Sequence, residues 1–249
     1  MSEETSLSLK TSAGPISYAL RRSGRRRTIE LSVPSSTAVR VIAPRFVPLE
    51  TIERFIHSRS DWIIKRFQEK RSEEERIGHK KYETGHDFLF LGQPYPLIVA
   101  RNNCLMTKVS FTGDRWEVRA NDATTEKMIK NKLVLWYRKQ AGEVLAGRVF
   151  HYSRVMGLEP SEKAPQKITV KTQKRLWGSC NHHGKSINLN WTLIMAPLSV
   201  IDYVVIHELC HLEVPNHSQR FWRKVAKFMP DYKKSEEWLK HNAALMRLP

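Results

Sequence analysis

Cysteine is scarce in this chain of 249 residues: Cys104, Cys180 and Cys210 are the three present. They are too few and too scattered for a disulfide framework and are expected as reduced thiols. Paired-cysteine zinc fingers are absent, as is any aromatic-and-basic nucleic-acid motif. Long apolar runs are missing too. The charge-free stretch 186–201 is interrupted by Asn188, Asn190 and Pro197 and falls short of the roughly 20 apolar residues that a membrane span needs. The opening MSEETSLSLKTSAG lacks the basic start and apolar core of a secretory signal. Together these absences lead to the expectation of a soluble cytoplasmic protein with no membrane partner; oligomeric state is left open.

Acidic residues are the other deficit. Against 42 Lys and Arg stand 25 Asp and Glu, a formal charge of +17, with the excess heavier toward the C-terminal part. Such a surface attracts polyanions, so nonspecific association with nucleic acid is an expected partner property. Hydrophobic residues at 41% and charged residues at 27% are ordinary globular usage, which excludes wholesale disorder.

Residues 1–45 alternate apolar and polar at Ile16–Leu20, Thr28–Val33 and Val39–Ile42, which predicts short antiparallel strands. Arg21, Arg22, Arg25, Arg26 and Arg27 crowd one turn between them, read as a solvated hairpin tip with a nucleic-acid finger as the alternative. After Pro48, Leu49, Ile52, Phe55, Ile56, Ile63 and Phe67 fall at helical spacing to about Lys70. The charged run 71–87 reads as an exposed connection. Strand-like pieces follow at 88–91, 97–100 and 108–119. A long helix is predicted from Thr124 to about Met156, closed by Gly157. Strands at 167–171 and 185–189 are joined through Trp177-Gly178-Ser179-Cys180. A helix at 199–212 has Ser199 as candidate N-cap and Asp202 three residues on. Two more helices, near 218–228 and 235–246, close the chain around Pro230.

The chemistry sits at His207-Glu208-Leu209-Cys210-His211. Residues i and i+4 share a helix face, so both imidazoles reach one metal ion, and Glu208 projects about 100° round the axis, beside the metal rather than on it. A catalytic zinc needs a third protein ligand. His217, six residues after His211 and beyond the helix-stopping Pro215, is the preferred local candidate. His182, His183 and Glu213 compete, although Glu213 faces the wrong side of the helix. The flanking Val204, Val205, Ile206 and Leu209 predict a buried helix, where an unpaired His and Glu are costly. Cys210 reads as a packing residue.

The run 176–180, then Ile187-Asn188-Leu189-Asn190, Ala196-Pro197, Ile201–Val205, His207–Leu212, Asn216-His217-Ser218, Phe221-Trp222 and Pro230-Asp231-Tyr232 resembles the YgjP-like zinc metallopeptidases. The likeness covers most of the chain and is densest over 167–239. It implies His207, His211 and His217 as ligands of one Zn2+ per chain, Glu208 as the catalytic base, and a peptide or protein substrate. The spacing is also similar to SprT-like proteases and their relatives that degrade proteins crosslinked to DNA. It departs from metzincins, with Val214 where those carry glycine. The implied fold is α+β: a β-rich N-terminal half, residues 1–123, and a zincin-like metallopeptidase half, residues 124–249, with one continuous unit as the alternative. Trp177 and Gly178 are candidates for lining the cleft, or form a tight glycine turn with a buried Trp. Arg175, Tyr203 and Tyr232 are candidate oxyanion stabilisers. Two other functions remain: a metal-dependent hydrolase of another amide or ester, and a basic nucleic-acid-associated protein whose structural zinc would need Cys180 or His182 as fourth ligand.

Overall fold

The computed structural model describes residues 4–11, 14–77, 81–159 and 163–248. The chain is mixed α+β and divides into two compact units, Met1–Gly78 and His79–Pro249. The boundary therefore falls some 45 residues before the expected one. Residues that were grouped with the N-terminal half instead build part of the second unit's core: Phe88, Leu97, Trp116 and Val118 share it with Leu133, Tyr137 and Leu145.

In the first unit, β1 (Glu4–Thr11), β2 (Gly14–Ser23), β3 (Glu30–Ser32) and β4 (Val39–Pro44) form a sheet in the order β1-β2-β4-β3. The period-2 pattern places Ile16, Tyr18 and Leu20 of β2 and Val39 and Val41 of β4 in the core with Ile52, Ile56 and Ile63. Not every neighbour is antiparallel, as the sequence had suggested: β2 and β4 pair in parallel, because β4 inserts between β2 and its own hairpin partner β3. Of the arginine cluster, Arg22 is tied down by hydrogen bonds to the Pro44 and Val47 carbonyls. Two helices follow, α1 (Leu49–His57) and α2 (Ser60–Ile77). α2 continues into the first part of the charged run expected as a connection, ending at Ile77, since Glu, Arg and Lys are good helix formers and pairs such as Arg71–Glu75 at i,i+4 support an exposed helix. Residues 78–80 lie outside the described residues, and 81–86 are non-helical, as a connection requires.

The second unit opens with β5 (Asp87–Phe90), β6 (Gln93–Arg101), β7 (Lys108–Phe111) and β8 (Trp116–Ala120), in the order β5-β6-β8-β7. The stretch 108–119 is thus a hairpin rather than one strand, turned at Gly113 with φ 101°. Trp116 lies edge-on to Trp136 (centroids 4.6 Å apart) and tilted against Tyr137 (4.9 Å), both on α3 (Glu126–Val155). The Tyr137 hydroxyl donates to the Leu89 carbonyl at 2.7 Å. These contacts dock the 30-residue α3, capped by Thr125, on the sheet.

A second sheet, in the order β10-β11-β9, is formed by β9 (Lys167–Lys171), β10 (Gly178–Asn181) and β11 (Ser186–Asn190). Residues 178–181 are accordingly an edge strand and not a connecting turn. A 3-10 helix, Trp191–Met195, leads into α4 (Leu198–His211), and α5 (Gln219–Phe228) and α6 (Tyr232–Asn242) complete the chain. The start of α4 is held by the β5–β6 hairpin tip. Leu91 and Gly92 donate their amides to Ile194 and Met195 carbonyls, and a Cβ at Gly92 (φ 85°) would stand 2.7 Å from Pro197. Pro197 occupies the α4 N-cap without a side-chain cap bond. Neither Ser199 nor Asp202 builds the expected capping box; Asp202 is instead engaged by Arg148 and Tyr152 of α3.

Candidate metal centre

α4 is apolar nearly all round, and Val200–Ile206 and Glu208–Cys210 are buried. That is the setting in which ionisable side chains need a reason to be present. His207 and His211, one turn apart, are half-buried on the face turned toward a cleft, whereas Cys210 is fully buried in the core. The helix ends when Glu213 and Val214 donate back to Cys210. Pro215 and Asn216 then lead the chain to the exposed His217. Glu213 is paired with Lys224 of α5 and with Lys163, which fastens this connection and turns its carboxylate away from ligand duty.

Three Nε2 atoms converge: His207 to His211 at 3.2 Å, His211 to His217 at 3.2 Å and His217 to His207 at 3.0 Å. Three imidazole nitrogens bound tetrahedrally to Zn2+ at about 2.1 Å would stand about 3.4 Å apart, so the donor set fits the ion. The His211 Nδ1 lies 3.1 Å from the Val214 carbonyl; donation there leaves Nε2 with its lone pair facing the cluster. Two buried polar atoms are orphaned at the same place, Nδ1 of His207 and Oε2 of Glu208. Among the described residues, these three histidines form the cluster with ligand atoms within 4.8 Å of one another; neither Cys180 nor His182 belongs to it. His182 instead sets its Nδ1 2.8 Å from the Leu212 carbonyl, and its ring packs near that of the exposed His183.

Glu208 sits beside the cluster, its carboxyl packed on the backbone of Gly178: a Cβ there would lie 2.6 Å from Oε1. Burial raises the Glu208 carboxyl to about 8. Burial, then the neighbouring His211 and His217, lowers His207 to about 3, and burial also lowers His211. All of these shifts favour the neutral form, as expected for groups withdrawn from water. Cys180, on the edge strand, is pushed up to about 12 by burial and by Glu208.

Aromatic side chains brace the imidazoles. Phe221 stacks on His211 (4.5 Å, 27°) and lies edge-on to His207 and His217. Trp222 approaches His217 at 5.7 Å and stacks on Tyr232, which in turn stacks on Tyr203. Sequence reasoning had not singled out Phe221 and Trp222 as site residues; the available signal was Phe221 at i+4 from His217 at the start of an amphipathic helix. A cleft of about 510 Å³ is lined by Arg175, Trp177, Gly178, Tyr203, His207, Glu208 and His217, and a smaller one of about 290 Å³ by Cys180, His182 and the three histidines. Arg175 is exposed at the cleft and Tyr203 is buried in its wall, its hydroxyl held protonated by burial. Tyr232 does not line either cleft and contributes through its ring stack.

An α+β unit in which three histidines converge beside a buried carboxylate has the donor set of a mononuclear metal centre. The YgjP-like metallopeptidase domain matches residues 27–242, so the chain belongs to the YgjP-like metallopeptidase family. Among solved structures, the metallopeptidase zymogen of Pyrococcus abyssi abylysin is similar at 24% identity, covering 41% of this chain and 96% of its own, with a TM-score of 0.36. No curated protein matches. Among the described residues, no helix is long and apolar enough to cross a membrane.

Proposed function

We propose that this metallopeptidase hydrolyses peptide bonds with one Zn2+ held by His207, His211 and His217 in a zincin-like arrangement, and with Glu208 as general base. The observation that carries the proposal is the convergence of three Nε2 atoms within 3.2 Å beside the orphaned Glu208 carboxyl, in an open cleft. When bound, Zn2+ supplies a Lewis acid that acidifies water toward a pKa of about 7 and polarises a carbonyl. Glu208 takes the proton of the attacking water and delivers it to the departing amine. Its carboxyl lies buried beside the three histidines, with Oε2 unpaired among the described residues.

Among the described residues the outer side of β10 is unpaired, which supports an extended peptide adding to this edge as a further strand. Tyr203, buried in the cleft wall with a hydroxyl that remains a donor, is the residue best situated to steady a developing oxyanion. A three-histidine set leaves a coordination position for substrate chemistry; a structural zinc would be closed by a fourth protein ligand, for which neither Cys180 nor His182 is grouped with the cluster. The net charge of +17 supports nonspecific association with nucleic acid as a second property.

The test is metal content and casein cleavage of the wild type beside Glu208→Gln and His217→Ala. Near-stoichiometric zinc retained in Glu208→Gln, weakened in His217→Ala, with cleavage lost in both, is the expected result. Zinc binding in all three with no cleavage of any peptide would redirect the proposal to another amide or ester substrate.

A further inference from the structure

A larger cavity, about 710 Å³, adjoins the metal cleft and shares Arg175, Leu176, Trp177 and Ala243 with it. Its wall is the 172–177 loop that leads from β9 into β10, facing Trp191 and the end of the chain. The loop is preformed. Asn190 donates its side-chain amide to the Gln173 carbonyl at 2.9 Å and the Leu176 carbonyl at 3.3 Å, while Arg138 and the Trp191 indole donate to the Thr172 hydroxyl at 2.9 and 3.1 Å. At its crest Lys174 and Arg175 are exposed, and among the described residues neither is in an ion pair. Three cations, Lys174, Arg175 and Arg247, line this cavity, and no carboxylate does among the described residues.

Strand direction says which end of a peptide meets these cations. β10 begins at Gly178, against which the Glu208 carboxyl packs, and runs away from the loop toward Asn181. A peptide that adds to this edge in the more stable antiparallel sense runs the opposite way. The residues that follow the bond beside Glu208 therefore leave toward the 172–177 loop. At about 3.3 Å per residue, an extended peptide reaches the cavity within roughly four residues.

We infer that this cavity is a subsite for an acidic side chain on the C-terminal side of the scissile bond, with Lys174 and Arg175 as specificity-determining residues. The inference rests on the peptidase proposal above. Hydrogen bonds that hold the loop backbone lower the ordering cost of binding, and two adjacent cations with no carboxylate among the described lining residues favour an acidic side chain.

Peptides matching one casein cleavage site, with Glu, Gln or Lys at the second to fourth positions after the bond or at the equivalent positions before it, test this in two ways. The first is kcat/KM for the wild type, for Lys174→Glu/Arg175→Glu, for the milder Lys174→Gln/Arg175→Gln, and for Lys132→Glu/Lys139→Glu on the exposed side of α3 as a control of equal net charge. The second is fluorescence anisotropy of the same labelled peptides on Glu208→Gln, with and without the Lys174 and Arg175 substitutions. The wild type should favour Glu over Lys roughly tenfold after the bond and not before it. The Lys174 and Arg175 variants should lose or invert that preference, and the α3 control should keep it. Cleavage indifferent to the charge of the peptide, a preference located before the bond, or an equal loss in the α3 control overturns the subsite while the peptidase proposal stands. Selective binding of acidic peptides that needs Lys174 and Arg175, without cleavage by the wild type, upholds the cavity as a site for acidic side chains and overturns both its place after a scissile bond and the peptidase proposal. Neither cleavage nor charge-selective binding overturns both.

Discussion

Gly178 has no room for a side chain. The atoms that a Cβ would strike, Oε1, Cγ and Cδ of Glu208, all lie within 2.8 Å, and the carboxyl can relieve the clash only by leaving its position. Gly178→Ala should therefore lower kcat about 100-fold, the order expected for an angstrom-scale misplacement of a reacting group, with zinc content unchanged. Loss of zinc in that variant would show that the glycine supports the histidines instead. Glu208 itself carries a pH signature in the metal-free protein. Its folded carboxyl is raised to about 8, above the usual range near 4.5, so the folded state holds the proton more tightly than the unfolded state. That contribution to stability is fully present below about pH 4.5 and is lost as pH rises through about 8. Metal-free Glu208→Gln, followed by thermal unfolding, should match the wild type near pH 4 and exceed it at pH 8.5. Equal melting temperatures at the higher pH would mean that the carboxylate finds a partner in solution. The His207, Glu208 and His211 triplet was legible because i and i+4 share a helix face whatever surrounds the helix. The contact between Gly178 and Glu208, 30 residues apart in sequence, was not.

At the scale of elements, α4 is the part to be held still, and α3 holds it. Arg148 donates to both carboxylate oxygens of Asp202, Nε at 2.6 Å and Nη2 at 2.8 Å, and the Tyr152 hydroxyl adds a third bond at 3.1 Å. Asp202 is 8% exposed, so removing its partner strands a carboxylate. Arg148→Met should cost about 3 kcal/mol in urea unfolding, whereas Arg148→Met/Asp202→Leu should recover most of it, because a buried pair replaced by apolar side chains of similar size is close to neutral. Equal destabilisation in the single and double variants would refute this account. Asp202 also shows why the helix start was misread. Its spacing from Ser199 satisfies a capping pattern, but an arginine 54 residues away offers two charge-assisted bonds and outcompetes the local use. The extension of α2 into the first part of the charged run, as far as Ile77, has the converse reason: apolar periodicity reports burial, and an exposed helix has little to report.

For the whole molecule, two four-stranded sheets repeat one arrangement, with an antiparallel outer pair, a parallel central pair and an antiparallel return, in β1-β2-β4-β3 and again in β5-β6-β8-β7. No sequence repeat announces it, because an alternating pattern specifies which face of a strand is buried and leaves the choice of neighbour free. The charge of +17 belongs to this scale also. If it confers polyanion binding, affinity for duplex DNA should fall at least 100-fold between 50 and 200 mM salt, without sequence preference. No binding at 50 mM salt would dismiss nucleic acid as a partner.

By itself, the sequence determined what depends on near neighbours along the chain. The α+β composition, the long α3, the buried α4 and the pairing of His207 with His211 beside Glu208 all follow from periodicities of 2 and 3.6. Local proximity past Pro215 and the family resemblance added His217. Only the tertiary structure decided the boundary after Gly78, the edge position of β10, the seat of Glu208 on Gly178, the bracing of the imidazoles by Phe221 and Trp222, and the basic cavity beside the cleft. Each of these depends on which surfaces meet across tens of residues, and that is set by packing of the whole core rather than by any local pattern.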